Sequence, residues 1–90
     1  MNKTEFIRAV AKRTGSTQRA AEDFIFAYQE VIREELSAGG SVDFTGFGRY
    51  YVKTRSERQG KNPSTGEVMV IPEAKVPSFK PGKILRDAVG

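Results

Sequence analysis

The residues of this sequence best suited to chemistry are cations that lead up to a proline. Five of the thirteen residues in the segment 49–61 are basic, namely Arg49, Lys53, Arg55, Arg58 and Lys61. Lysine and arginine bind phosphate oxygens. Pro63 follows two residues later, and a flat apolar ring can enter between stacked base pairs. This spacing favours recognition of a polyanion over catalysis of a reaction.

The sequence lacks two of the side chains that enzymes use most often, because the 90 residues include no histidine and no cysteine. The commonest general base, the commonest metal ligand and every thiolate or disulfide are therefore absent. There are two carboxylate pairs, at 22–23 and 34–35. The two residues of each pair are adjacent on a predicted helix, so their side chains point about 100° apart. Ser56 and Ser64 have no base near them in the sequence. We expect no enzymatic activity, no metal, no cofactor and no small-molecule substrate.

The positive charge is concentrated in the second half of the chain. The net charge is +4, and residues 1–44 hold six Lys/Arg and seven Asp/Glu, whereas residues 45–90 hold nine and four. A one-sided basic distribution indicates a polyanionic partner such as nucleic acid, and the alternative is a solvated cationic surface. The opening MNKTEFIRAV lacks the apolar core of a signal peptide. We therefore expect a cytoplasmic protein that does not contact a membrane.

Two helices are predicted in the first 40 residues. Asn2 can cap the first helix, and Gly15 can end it with a left-handed backbone. Ser16 or Thr17 can cap a longer second helix that runs to about Ala38. Apolar residues of this second helix spread over roughly half of its circumference, which is wider than the stripe of a helix packed on one side. It is therefore expected to be covered on two sides.

The period of the apolar residues changes from 3.6 to 2 after Gly40, which predicts β-structure. Val42 and Phe44 alternate with polar residues, and a tight turn at 46–48 leads into a second alternating segment at 49–55. A third strand-like segment follows in two parts, 68–71 and 76–79. Pro81-Gly82 ends it and a short helix over 83–89 closes the chain. The predicted fold class is α+β: two helices, three antiparallel strands and a C-terminal helix.

The segment 62–66, NPSTG, has the residues of a hairpin turn. The strands that enter and leave it form a ribbon too polar to be buried, which would project on the order of 30 Å. Such a ribbon, lined by Lys53, Arg55, Arg58 and Lys61, could hold phosphates while Pro63 unstacks a base-pair step from the minor groove. The alternative is that Pro63 only shapes the turn. A strand-addition module and an RNA-binding protein are further alternatives.

A projecting arm leaves about 60 residues for the body, and a body of that size has a marginal core. Two copies that intertwine would remedy this and would cover the second side of the long helix. The residues expected in the shared dimer core are Phe24, Tyr28, Val31, Phe44, Phe47, Tyr50 and Phe79.

Four motifs, MNKTEFI, TGFGRY, GKNPSTGE and KVPSFKPGK, occur at a spacing that closely resembles the bacterial HU family of nucleoid DNA-binding proteins and the related integration host factor. The resemblance covers the whole chain and is greatest to HU. It implies an intertwined homodimer with a helical base, a saddle of strands and two arms that wrap the minor groove. It also implies binding of double-stranded DNA with little sequence preference, favouring bent, nicked or deformed sites, and compaction of the nucleoid. The sequence fits either a homodimer or one chain of a heterodimer. It also fits either a cellular or a phage origin.

The resemblance also assigns regions and residues. One domain, 1–90, would comprise a dimerisation base at 1–40, saddle strands at 41–52 and 76–82, a DNA-binding arm at 53–75 and a C-terminal helix at 83–90. Pro63 would be the intercalating tip. The expected DNA-contacting residues are Lys3, Lys53, Arg55, Arg58, Lys61, Asn62, Pro63, Lys75, Lys80, Lys83 and Arg86. Glu57, Glu67 and Glu73 dilute the charge of the arm.

Overall fold

Helix α1, Lys3–Thr14, begins and ends at the residues that the sequence predicts. The Asn2 side chain accepts a hydrogen bond from the backbone N–H of Glu5 at 2.8 Å, which satisfies one of the free amides of the first turn. Gly15 has a left-handed backbone, with φ 67°, and its N–H donates to the carbonyl of Ala11. The computed structural model describes all of residues 1–90 and divides them into two compact units, Met1–Glu34 and Glu35–Gly90.

Helix α2 spans Gln18–Ser37. Of the two predicted caps, Thr17 is the one used, because its hydroxyl oxygen accepts from the N–H of Ala20 at 3.0 Å. The helix ends one residue earlier than predicted. There the N–H of Gly39 donates to the Leu36 carbonyl at 3.0 Å, and Gly39 adopts a φ of 85° that favours glycine.

The buried core of the first unit is small. It consists of Ile7, Ala11, Ala21 and Ile25, with Val10 packed against it, and so it lies between α1 and α2. No buried side chain in the structure is larger than isoleucine, and none is polar. A core of four short side chains removes little apolar surface from water.

The second unit contains five strands and one helix. The strands are β1 Val42–Phe44, β2 Gly48–Arg55, β3 Arg58–Lys61, β4 Val68–Ile71 and β5 Ala74–Pro81, and helix α3 spans Lys83–Val89. One antiparallel sheet has the order β1-β2-β5, and a second has the pair β3-β4. The α+β class is therefore confirmed.

The sequence predicts three strands, and the structure differs because both strands of the long hairpin are interrupted. Ser56 and Glu57 separate β2 from β3, and Pro72 and Glu73 separate β4 from β5. Proline has no N–H to donate to a ladder, which accounts for the break in the returning strand. The segment 53–75 thus comprises the ends of β2 and β5 together with the whole β3–β4 sheet.

Helix α3 is attached to the turn between β1 and β2 by two main-chain hydrogen bonds. The N–H of Gly82 donates to the Phe47 carbonyl at 2.7 Å, and the N–H of Ile84 donates to the Gly46 carbonyl at 2.9 Å. The turn carbonyls therefore satisfy amides at the start of α3 that have no partner within the helix. None of the three helices is long and apolar enough to cross a membrane.

Candidate nucleic-acid interface

The sheet β1-β2-β5 has an aromatic face. Residues directly opposite one another in an antiparallel ladder share a face, and Tyr50 lies opposite both Val42 and Phe79. The ring centroids of Tyr50 and Phe79 are 4.8 Å apart, and Phe47 and Phe79 are 6.2 Å apart. Phe44 meets Tyr50 edge to face at 6.4 Å. These four aromatic residues, all of them expected in the dimer core, therefore form one cluster.

The other face of this sheet carries four cations, together with one carboxylate, Asp43, which lies opposite Arg49. Arg49 lies directly opposite Lys80, and Lys53 and Arg55 follow Arg49 at even spacing along β2, so all four share that face. Each of these side chains is exposed. The ends of the sheet thus present several cations in one direction, which suits a chain of phosphates.

Lys75 does not join this group. It lies opposite Thr54, and Thr54 alternates with Lys53 and Arg55, so Lys75 belongs to the face that carries Tyr50. Lys75 is among the expected DNA-contacting residues, and the register of β2 and β5 puts it on the opposite face from Lys53 and Arg55. A simple count of basic residues cannot reveal this, because the face of a residue on β5 depends on the register.

The second sheet, β3–β4, carries cations on both faces. Arg58 lies opposite Ile71 and Lys61 lies opposite Val68, and the odd spacing of three residues puts the two cations on opposite sides. Strand β4 is apolar yet exposed, with Val68 70% and Val70 59% accessible. A ribbon of this kind presents charge to both sides and apolar surface along one strand.

The tip that joins β3 to β4 is held by its own hydrogen bonds. The Asn62 side chain accepts from the N–H of Ser64 at 2.9 Å, and the Asn62 carbonyl accepts from the N–H of Gly66 at 2.7 Å. Gly66 has a φ of 75°, which the glycine permits. Pro63 is exposed at the end of this turn. Asn62 therefore shapes the turn, and Pro63 provides its one apolar ring, which is exposed.

The remaining predicted cations lie outside the two sheets. Lys83 and Arg86 are exposed on α3, whose start is fixed to the β1–β2 turn. Lys3 is exposed at the first residue of α1, in the other unit. The structure thus places Lys83 and Arg86 near one end of the cationic sheet and leaves Lys3 in a separate unit.

In the sequence, Arg49 belongs to the basic segment 49–61 but is not among the expected DNA-contacting residues. The structure places it opposite Lys80, where its Nη2 donates to the Ser41 hydroxyl at 3.2 Å. The alternation of Arg49, Tyr51, Lys53 and Arg55 is the signal that could have identified it, because alternate residues of a strand share a face.

Comparisons with known proteins agree with this geometry. The profile of the family described as "Bacterial DNA-binding protein" matches residues 1–90. DNA-binding protein HU of Geobacillus stearothermophilus is 49% identical over 89 residues, which are 99% of each chain. DNA-binding protein HU 1 of Bacillus subtilis is 45% identical over 89 residues, 99% of this chain and 97% of that protein.

Solved structures show the same fold. The chain of an Anabaena HU–DNA cocrystal structure superimposes with a TM-score of 0.91 at 40% identity, over 100% of this chain and 98% of that one. HU from Thermotoga maritima gives a TM-score of 0.73 at 31% identity, over the full length of both chains. Because the family profile matches the chain from end to end and its HU relatives have nearly the same length, the chain belongs to the bacterial DNA-binding protein family that includes HU.

Proposed function

We propose that the protein is an architectural, histone-like DNA-binding protein that bends duplex DNA as a homodimer. One observation carries the proposal: an exposed proline stands on a hydrogen-bonded turn at the end of a ribbon that carries cations on both faces. A ribbon that enters a groove meets a phosphate backbone on either side, and Arg58 and Lys61 point to opposite sides. Membership of the DNA-binding family and the likeness to an HU–DNA cocrystal structure support it.

The tip supplies the bend. In minor-groove architectural proteins an inserted apolar side chain unstacks a base-pair step at a cost of about a few kcal/mol, and the bent duplex then contacts more of the protein. Pro63 has the shape for this role, because its ring is stiff and its backbone is fixed by the Asn62 and Gly66 hydrogen bonds. A stiff wedge loses little conformational entropy when it inserts.

Binding has little sequence preference in this proposal. Phosphate contacts position a protein on the duplex but carry no base information. The proposed contacts are almost all cations, and about eight neutralised phosphates would give a log–log salt slope of roughly −7. Sites that are already bent, nicked or flexible are favoured because they are easier to deform. The protein would act in the cytoplasm on the nucleoid, where it compacts DNA, and it is a binding protein, not an enzyme.

The homodimer follows from the apolar surface that one chain leaves accessible. Phe24 and Val31 on α2 are 70% and 60% exposed, and they lie on a side of the helix other than the one that buries Ala21 and Ile25. Phe47, in the aromatic cluster of the sheet, is 49% exposed. A second copy is the occupant proposed for both surfaces, because self-association buries identical patches by symmetry and also provides two arms.

The wedge is tested by Pro63→Ala, with Ser64→Ala in the same turn as the matched control. We expect Pro63→Ala to reduce bending of a short duplex, measured by energy transfer between dyes on its two ends. The salt slope of binding should stay within the error of the wild-type value, since no charge is lost. Ser64→Ala should bend the duplex as the wild type does.

Undiminished bending by Pro63→Ala would mean that this proline only shapes the turn. A parallel titration with Arg58→Ala should give the opposite pattern, namely a slope shallower by about one unit. Wild-type protein that prefers single-stranded RNA to duplex DNA, or binds duplex DNA without salt dependence, would contradict the proposed function as a whole.

A further inference from the structure

The base of the cationic sheet contains an arginine whose guanidinium is hydrogen-bonded to a serine. Arg49 lies between Asp43 on β1 and Lys80 on β5 in one cross-strand row. Its guanidinium does not form an ion pair with Asp43. Instead its Nη2 donates to the Ser41 hydroxyl at 3.2 Å, just before β1 begins. The side chain is thereby directed toward the connection between α2 and β1.

Two shallow grooves adjoin this arginine on the sheet. One is lined by the Gly39–Ser41 connection together with Arg49, Tyr51, Val52 and Lys80. The other is lined by the end of β1, which contributes the carboxylate of Asp43, by the β1–β2 turn and the start of α3, and by Arg49, Lys80 and Arg86. Arg49 and Lys80 are common to both grooves, so two cations from neighbouring strands stand side by side at an open surface.

The chemistry of this group suits a phosphodiester. A guanidinium has five N–H donors in a planar fork, and the bond to Ser41 uses only one of them. The Ser41 oxygen accepts that bond, which leaves its own O–H free to donate to an anion. Lys80 adds an ammonium group opposite Arg49. An oxyanion between them would receive a hydroxyl donor and charge-assisted bonds from two cations.

We propose that Ser41, Arg49 and Lys80 form a phosphate-binding site on the body of the protein, which holds one backbone phosphate of duplex DNA independently of the arm. This proposal rests on the proposed function, because it names a further contact of the same DNA. The site sits on β2 and β5, which pair over eight consecutive residues, and on the connection that precedes β1. It is therefore more rigid than a site on the two-stranded β3–β4 sheet.

The role of Ser41 distinguishes this site from a diffuse positive surface. If Arg49 acted only through its charge, any cation there would serve equally well. In this proposal the hydroxyl orients the guanidinium, so we expect Arg49→Lys to keep the charge but lose affinity, and Ser41→Ala to lose affinity without any change of charge.

The test is a set of duplex DNA titrations over a salt series with the full-length protein. The variants are Arg49→Ala, Arg49→Lys and Ser41→Ala, and the matched control is Arg13→Ala, which removes an exposed cation from α1. Arg49→Ala should make the log–log slope shallower by about 0.9 and weaken binding about eightfold at 0.1 M salt. Ser41→Ala and Arg49→Lys should keep the wild-type slope and weaken binding about threefold. Arg13→Ala should change neither quantity.

Two outcomes would overturn the inference. If Arg49→Ala has the same salt slope and affinity as Arg13→Ala, no phosphate is bound at this position. If Ser41→Ala has the same affinity as the wild type, the serine does not hold the arginine for binding. Both presuppose that wild-type protein binds duplex DNA with a steep salt dependence. If it does not, the proposed function fails first, so the two failures are distinguishable. Circular dichroism of each variant checks that the fold is intact.

Discussion

At the scale of the residue, an aromatic side chain on the neighbouring strand β5 explains why position 48 is a glycine. Gly48 is the first residue of β2 and lies between Phe44 on β1 and Pro81 on β5. A Cβ at this position would lie against the ring of Phe79 and 3.0 Å from the Lys80 carbonyl oxygen. The ring therefore covers the backbone of Gly48, and the aromatic cluster requires a residue without a side chain there.

Gly48→Ala should lower the free energy of unfolding by about 1–3 kcal/mol, because the added methyl group displaces the Phe79 ring or the strand. Gly90→Ala is the matched control, since a Cβ at Gly90 meets nothing within 4 Å. Urea unfolding at one fixed protein concentration measures the difference, because unfolding of an oligomer depends on concentration. Equal stability of the two variants would show that the cluster tolerates a methyl group at Gly48.

Residues with local roles could be predicted from the sequence, and those with cross-strand roles could not. Asn2 and Gly15 were identified from cap preferences, which depend only on a few neighbouring residues. Gly46 and Gly48 are both predicted as turn glycines, yet only Gly46, with φ 83°, has the left-handed backbone. Glycine is required at position 48 by the Phe79 ring, and that contact depends on the register between β2 and β5, which brings together two residues 31 positions apart in the sequence.

At the scale of the element, the long hairpin consists of two short ladders with an interruption between them in each strand. β2 pairs with β5 over eight residues, whereas β3 pairs with β4 over four, and two residues interrupt each strand between them. The alternation of apolar residues predicts strands in this region, and the residue types of NPSTG predict the turn. The alternation does not predict the break at Ser56 and Glu57, because no proline or glycine marks the outgoing strand there.

The amides of β3 and β4 should exchange with solvent faster than those of β2 and β5 in the free protein. A two-stranded ribbon is marginal in water by itself, so its ladder opens more often. Hydrogen exchange read by NMR or mass spectrometry provides the measurement, and the β2–β5 amides serve as the internal control. Added duplex DNA should slow exchange in β3 and β4. Equal protection of both ladders without DNA would contradict this account of the arm.

At the scale of the whole molecule, the division between core and accessible apolar surface is the main feature. Only Ile7, Ala11, Ala21 and Ile25 are buried apolar residues, whereas the large side chains expected in the dimer core, among them Phe24 and Val31, remain accessible. The wide apolar arc of α2 signals this from the sequence. Phe26 is a different case, because it falls outside the arc and is 55% exposed.

Sedimentation should give a particle of two chains, each of 10.0 kDa. Phe24→Glu should shift it toward monomer, because a charge would be buried without a partner at the shared surface. Phe26→Glu is the matched control on the same helix, and it should leave the mass unchanged because that residue lies outside the apolar arc. A wild-type monomer, or a Phe24→Glu variant that associates like the wild type, would refute the dimer.

The paired breaks at Ser56–Glu57 and Pro72–Glu73 have a consequence for target choice. Since both strands are interrupted at the same level, the outer ladder and its turn can swing together. The six residues from Arg58 to Pro63 make a lever of about 20 Å. A swing of roughly 20° would carry the ring about 7 Å, or about two steps of a duplex with 3.4 Å rise. The distance between two kinks would then be set by where the duplex yields most easily, so that one protein accommodates targets of unequal length.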